Sequence, residues 1–94
     1  MSRRYVLSAY AQDDRDQIFD YTATRSGDVE VAIRVDQKIE DTLDEIAANP
    51  TIGHARSDLG VPRDLLVRSV YSYLMIYNPR TRPVKILRIW FLGT

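Results

Sequence analysis

The hydrophobic period of this chain changes once, at Asn49-Pro50, and that change limits the possible folds more than any other feature. Before it, Ala32, Val35, Ile39, Leu43 and Ile46 recur at steps of three and four residues, which places them on one face of an α-helix. After an irregular stretch over 51–64, the segments 65–70, 73–77 and 84–91 are runs of branched and aromatic residues, the composition of β-strands. A helical half therefore precedes a sheet-forming half.

The helical half reads as a hairpin. Tyr5-Val6-Leu7 is a short β-prone start, and Ser8 is placed to cap a helix over 9–25. That helix is weakly patterned: Ala11, Ile18, Tyr21 and Thr22 share a face, but Arg15 falls where a leucine is expected and is predicted to run its stem along the core edge. Ser26-Gly27-Asp28 ends it, with Gly27 suited to a left-handed cap and Asp28 to the next N-cap. The second helix, over 28–48, carries the apolar stripe and is stopped by Asn49-Pro50.

The three later strands have the spacing of an antiparallel meander, broken at Tyr71-Ser72 and by the Asn78–Pro83 turn. The last, over 84–91, is apolar on both faces except at Lys85 and Arg88, so it belongs inside the sheet with the first strand on its other side. The predicted fold is α+β, in the order β-α-α-β-β-β, with a helical hairpin on one face of a four-stranded, mainly antiparallel sheet. Ninety-four residues make a single domain over 1–94.

A net charge of zero conceals a division of charge. Positions 11–50 hold eleven acidic against four basic residues, and positions 51–94 hold two acidic against seven basic. Helices and sheet thus differ in sign, which predicts a sheet side suited to a phosphate or acidic-peptide partner. The chain has no cysteine, which excludes disulfides and thiolate metal sites and suits a reducing compartment. Its opening apolar stretch is too short for a signal peptide, and no later run reaches membrane-spanning length. The expectation is a soluble cytoplasmic protein with no membrane partner and no cofactor.

Metal-free RNA cleavage needs a base for the 2′-hydroxyl, an acid for the leaving oxygen and cations around the phosphorane. Cations are abundant: Arg56, Arg63, Arg68, Arg80, Arg82, Lys85 and Arg88. Acid and base are not, since His54 is the only histidine and a tyrosine or lysine would need a large pKa shift. His54 also fits an exposed loop position. Glu40 and Asp44, one turn apart, fit a solvated helix face better than a metal site. Arg56 with Asp58, and Arg63 with Asp64, read equally as ion pairs or as site residues. Arg80 and Arg82 fit either a solvated turn or a partner contact. Arg68 and Arg88 interrupt apolar strands, where a charge must face solvent, pair with a carboxylate or line a site. Tyr71, Tyr73 and Trp90 can stack on bases or receive a peptide, whereas Tyr77 reads as core.

The element order and several local patterns resemble the RelE/ParE superfamily of toxins from bacterial type II toxin–antitoxin systems. Tyr5-Val6-Leu7-Ser8 with Ala11, Asp14, Ile18 and Tyr21 is similar to the ParE first strand and helix. Asn49-Pro50-Thr51-Ile52-Gly53 is similar to the family's helix-ending Pro-x-x-Gly. Val67-Arg68-Ser69-Val70, Tyr73-Leu74-Met75-Ile76-Tyr77 and Ile86-Leu87-Arg88-Ile89 are similar to its strand-Arg, Tyr-rich and final strands. The resemblance spans nearly the whole chain and is closer to ParE than to RelE, because Tyr73 stands where RelE-like nucleases place an arginine. It implies a toxin that binds DNA gyrase without chemistry of its own and is neutralised by a cognate antitoxin. Arg56, Arg63, Arg68, Arg80, Arg82 and Arg88 are then target-binding candidates, and Tyr71, Tyr73, Met75 and Trp90 antitoxin-binding candidates. The alternative it implies is a ribosome-dependent mRNA endonuclease using Arg68, His54 and Arg88. Family members commonly continue past the final strand with a polar tail, where this sequence ends at Trp90-Phe91-Leu92-Gly93-Thr94. A third expectation is therefore an attenuated toxin that keeps only antitoxin binding.

Overall fold

A computed structural model describes residues 5–92. The order of elements is β1 (Tyr5–Leu7), α1 (Ala9–Ser26), α2 (Val29–Ala48), two short 3-10 turns at Pro50–Ile52 and Ser57–Leu59, then β2 (Leu66–Val70), β3 (Tyr73–Asn78) and β4 (Val84–Phe91). The sheet order is β1-β4-β3-β2, with β1 parallel to β4 and the other neighbours antiparallel. This is the expected α+β arrangement, with β4 between β1 and β3.

Capping explains where the helices begin and end. Ser8 is extended, at φ −64° and ψ 164°, and its Oγ accepts the Ala11 amide at 3.0 Å while donating to the Leu87 carbonyl at 2.7 Å. One hydroxyl thus caps α1 and fastens it to β4. Gly27 ends α1 in the left-handed region at φ 67°, its amide reaching the Ala23 carbonyl at 3.0 Å. Asp28 then caps α2 by accepting the Glu30 amide at 2.9 Å.

The α2 stripe is the centre of the main core: Ile39, Leu43 and Ile46 are fully buried against Val70, Met75, Tyr77, Val84, Ile86 and Ile89 of the sheet. The opposite sheet face has its own smaller core of Val67, Leu74 and Ile76, covered by Val61 with Leu59 and Leu65 from the 57–65 segment. α1 buries only Ala11 and Ile18. Its Tyr21, expected on the buried face, is 52% exposed. Arg15 does more than run along the core edge: its guanidinium pairs with Asp36 at 2.8 Å and Glu40 at 3.0 Å, joining α1 to α2. The hydrogen bond to Asp36 is the main cause that holds this guanidinium protonated beyond its ordinary range, against burial.

β1 covers only part of β4. Its register with β4 ends at Leu7↔Ile86, because the chain turns at Ser8 into α1. From there α1 runs beside the second half of β4, and that arrangement builds the site described next.

Candidate functional site

A groove of about 380 Å³ lies between α1 and the C-terminal half of β4, floored by Ile18, Tyr73 and Ile89 and walled by Tyr21, Trp90 and Phe91. Its size falls in the range of ligand-binding clefts. Tyr73 stacks obliquely on Phe91 with ring centroids 5.5 Å apart, and Phe91 meets Tyr21 at 6.3 Å. Trp90, Phe91 and Leu92 are 38%, 54% and 52% exposed, three consecutive large apolar residues left open to solvent.

One end of the groove is closed by Arg88 and Asp14. Arg88 Nε and Nη2 donate to the two Asp14 oxygens at 2.8 and 3.0 Å, and the Ile89 amide donates to the same carboxylate at 2.9 Å. Burial pushes the Asp14 carboxyl up, but the hydrogen bonds from Arg88 and Ile89, with the Arg88 charge, outweigh it and hold the group below its ordinary value. The Arg88 guanidinium lies 5.5 Å from the Tyr10 ring centroid and 5.9 Å from that of Trp90. Two aromatic faces therefore fix a cation that Asp14 already holds.

The other candidates scatter. Arg68 reaches from β2 to Glu45 of α2 at 3.4 Å. β3 separates it from Arg88, and the two are held by different helices. Arg56 closes on Asp58 at 3.0 Å through both Nε and Nη2, the ion pair that was one of the two readings. Asp64 pairs with Arg80 at 3.4 Å, where the sequence suggested Arg63, because the 62–65 turn lies beside the β3–β4 hairpin. Arg63 is exposed. Arg82 folds onto its own turn, donating to the carbonyls of Pro79 and Thr81 at 2.9 and 2.7 Å. His54 is an exposed residue whose backbone exchanges two 2.8 Å hydrogen bonds with Val67.

Among the aromatic candidates, Tyr73 and Trp90 meet in the groove, and Tyr71 stands 66% exposed at the β2–β3 turn with φ 53°. Met75 is a correction. It points from the central strand β3 into the helix-facing core and is fully buried, so no partner reaches it in this fold. Tyr77 is core, as its position suggested.

Six groove residues, Asp14, Gln17, Ile18, Tyr21, Ile89 and Phe91, escaped selection as site residues. Their signal was present in the weak pattern of α1: a helix with too few apolar residues to be buried, yet with aromatics at Tyr10 and Tyr21, keeps an apolar surface for something else. No group of three or more His, Cys, Asp or Glu residues is placed to hold a metal among the described residues, and no described helix is long and apolar enough to cross a membrane.

The family model described as "ParE toxin of type II toxin-antitoxin system, parDE" matches residues 5–90. The chain belongs to the ParE toxin family. A solved structure titled "Chromosomal ParDE TA system from P. aeruginosa" superposes on this ParE-family chain with a TM-score of 0.77, covering 95% of each chain at 18% identity. At that identity the likeness speaks for the fold. A search of curated proteins found no match. The matched span takes in both helices and nearly all of β4, so every groove residue except Phe91 falls within it.

Proposed function

We propose that this ParE-family protein is the toxin of a type II toxin–antitoxin pair that inhibits DNA gyrase by binding it, and that a cognate antitoxin neutralises it. The observation that carries this reading is the engagement of both strand arginines. Arg88 is held by Asp14 and Arg68 by Glu45, each a carboxylate neighbour that competes with a scissile phosphate for the guanidinium. A nuclease site would gather such cations around an acid and a base. Here the two arginines sit on strands separated by β3, and the hydrogen bonds that fix His54 belong to its backbone. Recognition of a protein partner asks instead for exposed aromatic anchors with a polar rim, and Tyr21, Trp90 and Phe91 beside Asp14, Gln17 and Arg88 supply them.

Induction of the protein in growing cells tests the reading. Gyrase inhibition gives filamentous cells with an SOS response. Rapid translation arrest with cut messages would overturn it in favour of an mRNA endonuclease. Unimpaired growth, together with a stable complex with the product of the adjacent reading frame, would identify an attenuated toxin.

A further inference from the structure

The positive charge that no ion pair consumes collects at one end of the sheet. Of the seven basic residues over 51–94, Arg56 pairs with Asp58, Arg80 with Asp64, Arg68 with Glu45 and Arg88 with Asp14. The other three, Arg63, Arg82 and Lys85, have no carboxylate partner among the described residues and are exposed. All three border the β3–β4 hairpin. Arg63 precedes Asp64, which reaches Arg80 of the turn at 3.4 Å, and Lys85 stands opposite Asn78 where the two strands leave that turn. The Arg80–Asp64 pair is itself open to solvent, with both side chains more than half exposed, so it holds Arg80 weakly. The backbone around these cations is stiff, because Pro62 precedes Arg63, Pro79 precedes Arg80 and Pro83 follows Arg82. Arg82 is placed further: its Nη1 donates to the Pro79 and Thr81 carbonyls at 2.9 and 2.7 Å, leaving Nε and Nη2 without an acceptor among the described residues. A cation already set in place loses little freedom when it meets an anion.

We propose that this end of the sheet binds the phosphate backbone of duplex DNA through Arg63, Arg82 and Lys85, with Arg80 in support. The proposal goes beyond the gyrase reading and does not depend on it. Closely placed cations without partners ask for a dense polyanion, and duplex DNA carries one negative charge per about 1.7 Å of its axis. Single-stranded nucleic acid is held by stacking its bases on exposed aromatic rings, and none stands at this end among the described residues. Tyr71 lies at the opposite end of β3, Trp90 and Phe91 lie at the opposite end of β4, Tyr21 meets Phe91, and Tyr10 lies against Arg88. The contact is therefore with phosphates and reads no sequence. The acidic excess over 11–50 belongs to the helices, which repel phosphate and so orient the duplex toward the hairpin end.

The test titrates the whole protein, without antitoxin, into a labelled short DNA duplex at low salt and reads fluorescence anisotropy across a salt series. The logarithm of affinity should fall against that of salt with a slope of about −3, as for the counterions released by three phosphate contacts. Arg63→Gln combined with Lys85→Gln should flatten the slope to about −1 and weaken binding by about tenfold or more at low salt. The melting temperature should not move, since neither side chain has a bonded partner among the described residues. Arg25→Gln combined with Arg34→Gln removes the same charge from exposed helix positions and should change neither slope nor affinity. Equal losses from the two pairs of substitutions would mean that overall charge, not this end of the sheet, governs binding, and would overturn the proposal. Absence of duplex binding at low salt overturns it too. Single-stranded RNA, or an acidic peptide of matched charge, binding as tightly as the duplex overturns the assignment of the partner. The gyrase reading survives each of these failures, because supercoiling reports on it separately.

Discussion

Arg88 of β4 and Asp14 of α1 form a two-pronged ion pair at 2.8 and 3.0 Å, and the same carboxylate accepts the Ile89 amide. The division of charge along the sequence is thereby turned inward. A sheet arginine meets a helix acid here and again at Arg68–Glu45, so helices and sheet neutralise each other where they touch.

The Asp14 carboxyl is held below its ordinary value in the fold. A group whose folded pKa is lowered contributes stability that is fully present above the unfolded value, about 3.9, and is lost as pH falls through the folded one. Asp14→Asn should lower the melting temperature near neutral pH, and the gap from the unsubstituted protein should close as pH drops below about 4. Melting curves across that range check it. A gap that widens on acidification would contradict the pairing.

Tyr77 and Gly53 hold the segment after α2. The buried Tyr77 hydroxyl donates to the Pro50 carbonyl at 2.6 Å and accepts the Gly53 amide at 3.0 Å. Tyr77→Phe should cost about 1–3 kcal/mol, because it strands both groups. A Cβ at Gly53 would lie 2.6 Å from the Val67 carbonyl and 2.7 Å from the Tyr77 hydroxyl. Gly53→Ala is therefore expected to destabilise by a similar amount, about 1–3 kcal/mol. Denaturant unfolding measures both, and a neutral Gly53→Ala would show that the Pro50–Ile52 turn is not pinned as described.

Much of this fold is legible in the sequence because it is local. The period change at Pro50, the Ser8 and Asp28 caps and the Gly27 stop each act within a few residues, and all stand in the structure. The boundaries of β4 follow from an apolar run bounded by a proline turn. The site was less legible because it depends on pairings distant in sequence. Arg88 as an interrupting charge in β4 is visible, but its partner Asp14 lies 74 residues earlier. Met75 reads in the sequence as part of a Tyr-rich strand open to a partner, yet β3 is covered on both faces and encloses it, while Tyr71 lies on a turn. The groove exists because β1 is shorter than β4, a relation between two strands that neither reveals alone.

Tyr71 holds φ 53° at an exposed turn, a conformation that costs a bulky residue about 1 kcal/mol and that asparagine adopts readily. Tyr71→Asn should stabilise the free protein by about 0.5–1 kcal/mol, read from denaturant midpoints. If the ring is an antitoxin contact, the same substitution should weaken the complex. A destabilised variant would mean that the Tyr71 ring itself holds the turn.

The central claim is that this ParE-family chain acts by binding. Its most direct test places the purified protein in two reactions side by side, DNA supercoiling by gyrase and translation of a defined message by ribosomes. The account predicts that supercoiling is inhibited, that the antitoxin restores it, and that the message stays intact. Ribosome-dependent cleavage of that message, abolished by His54→Ala or Arg68→Ala while gyrase works normally, would contradict it.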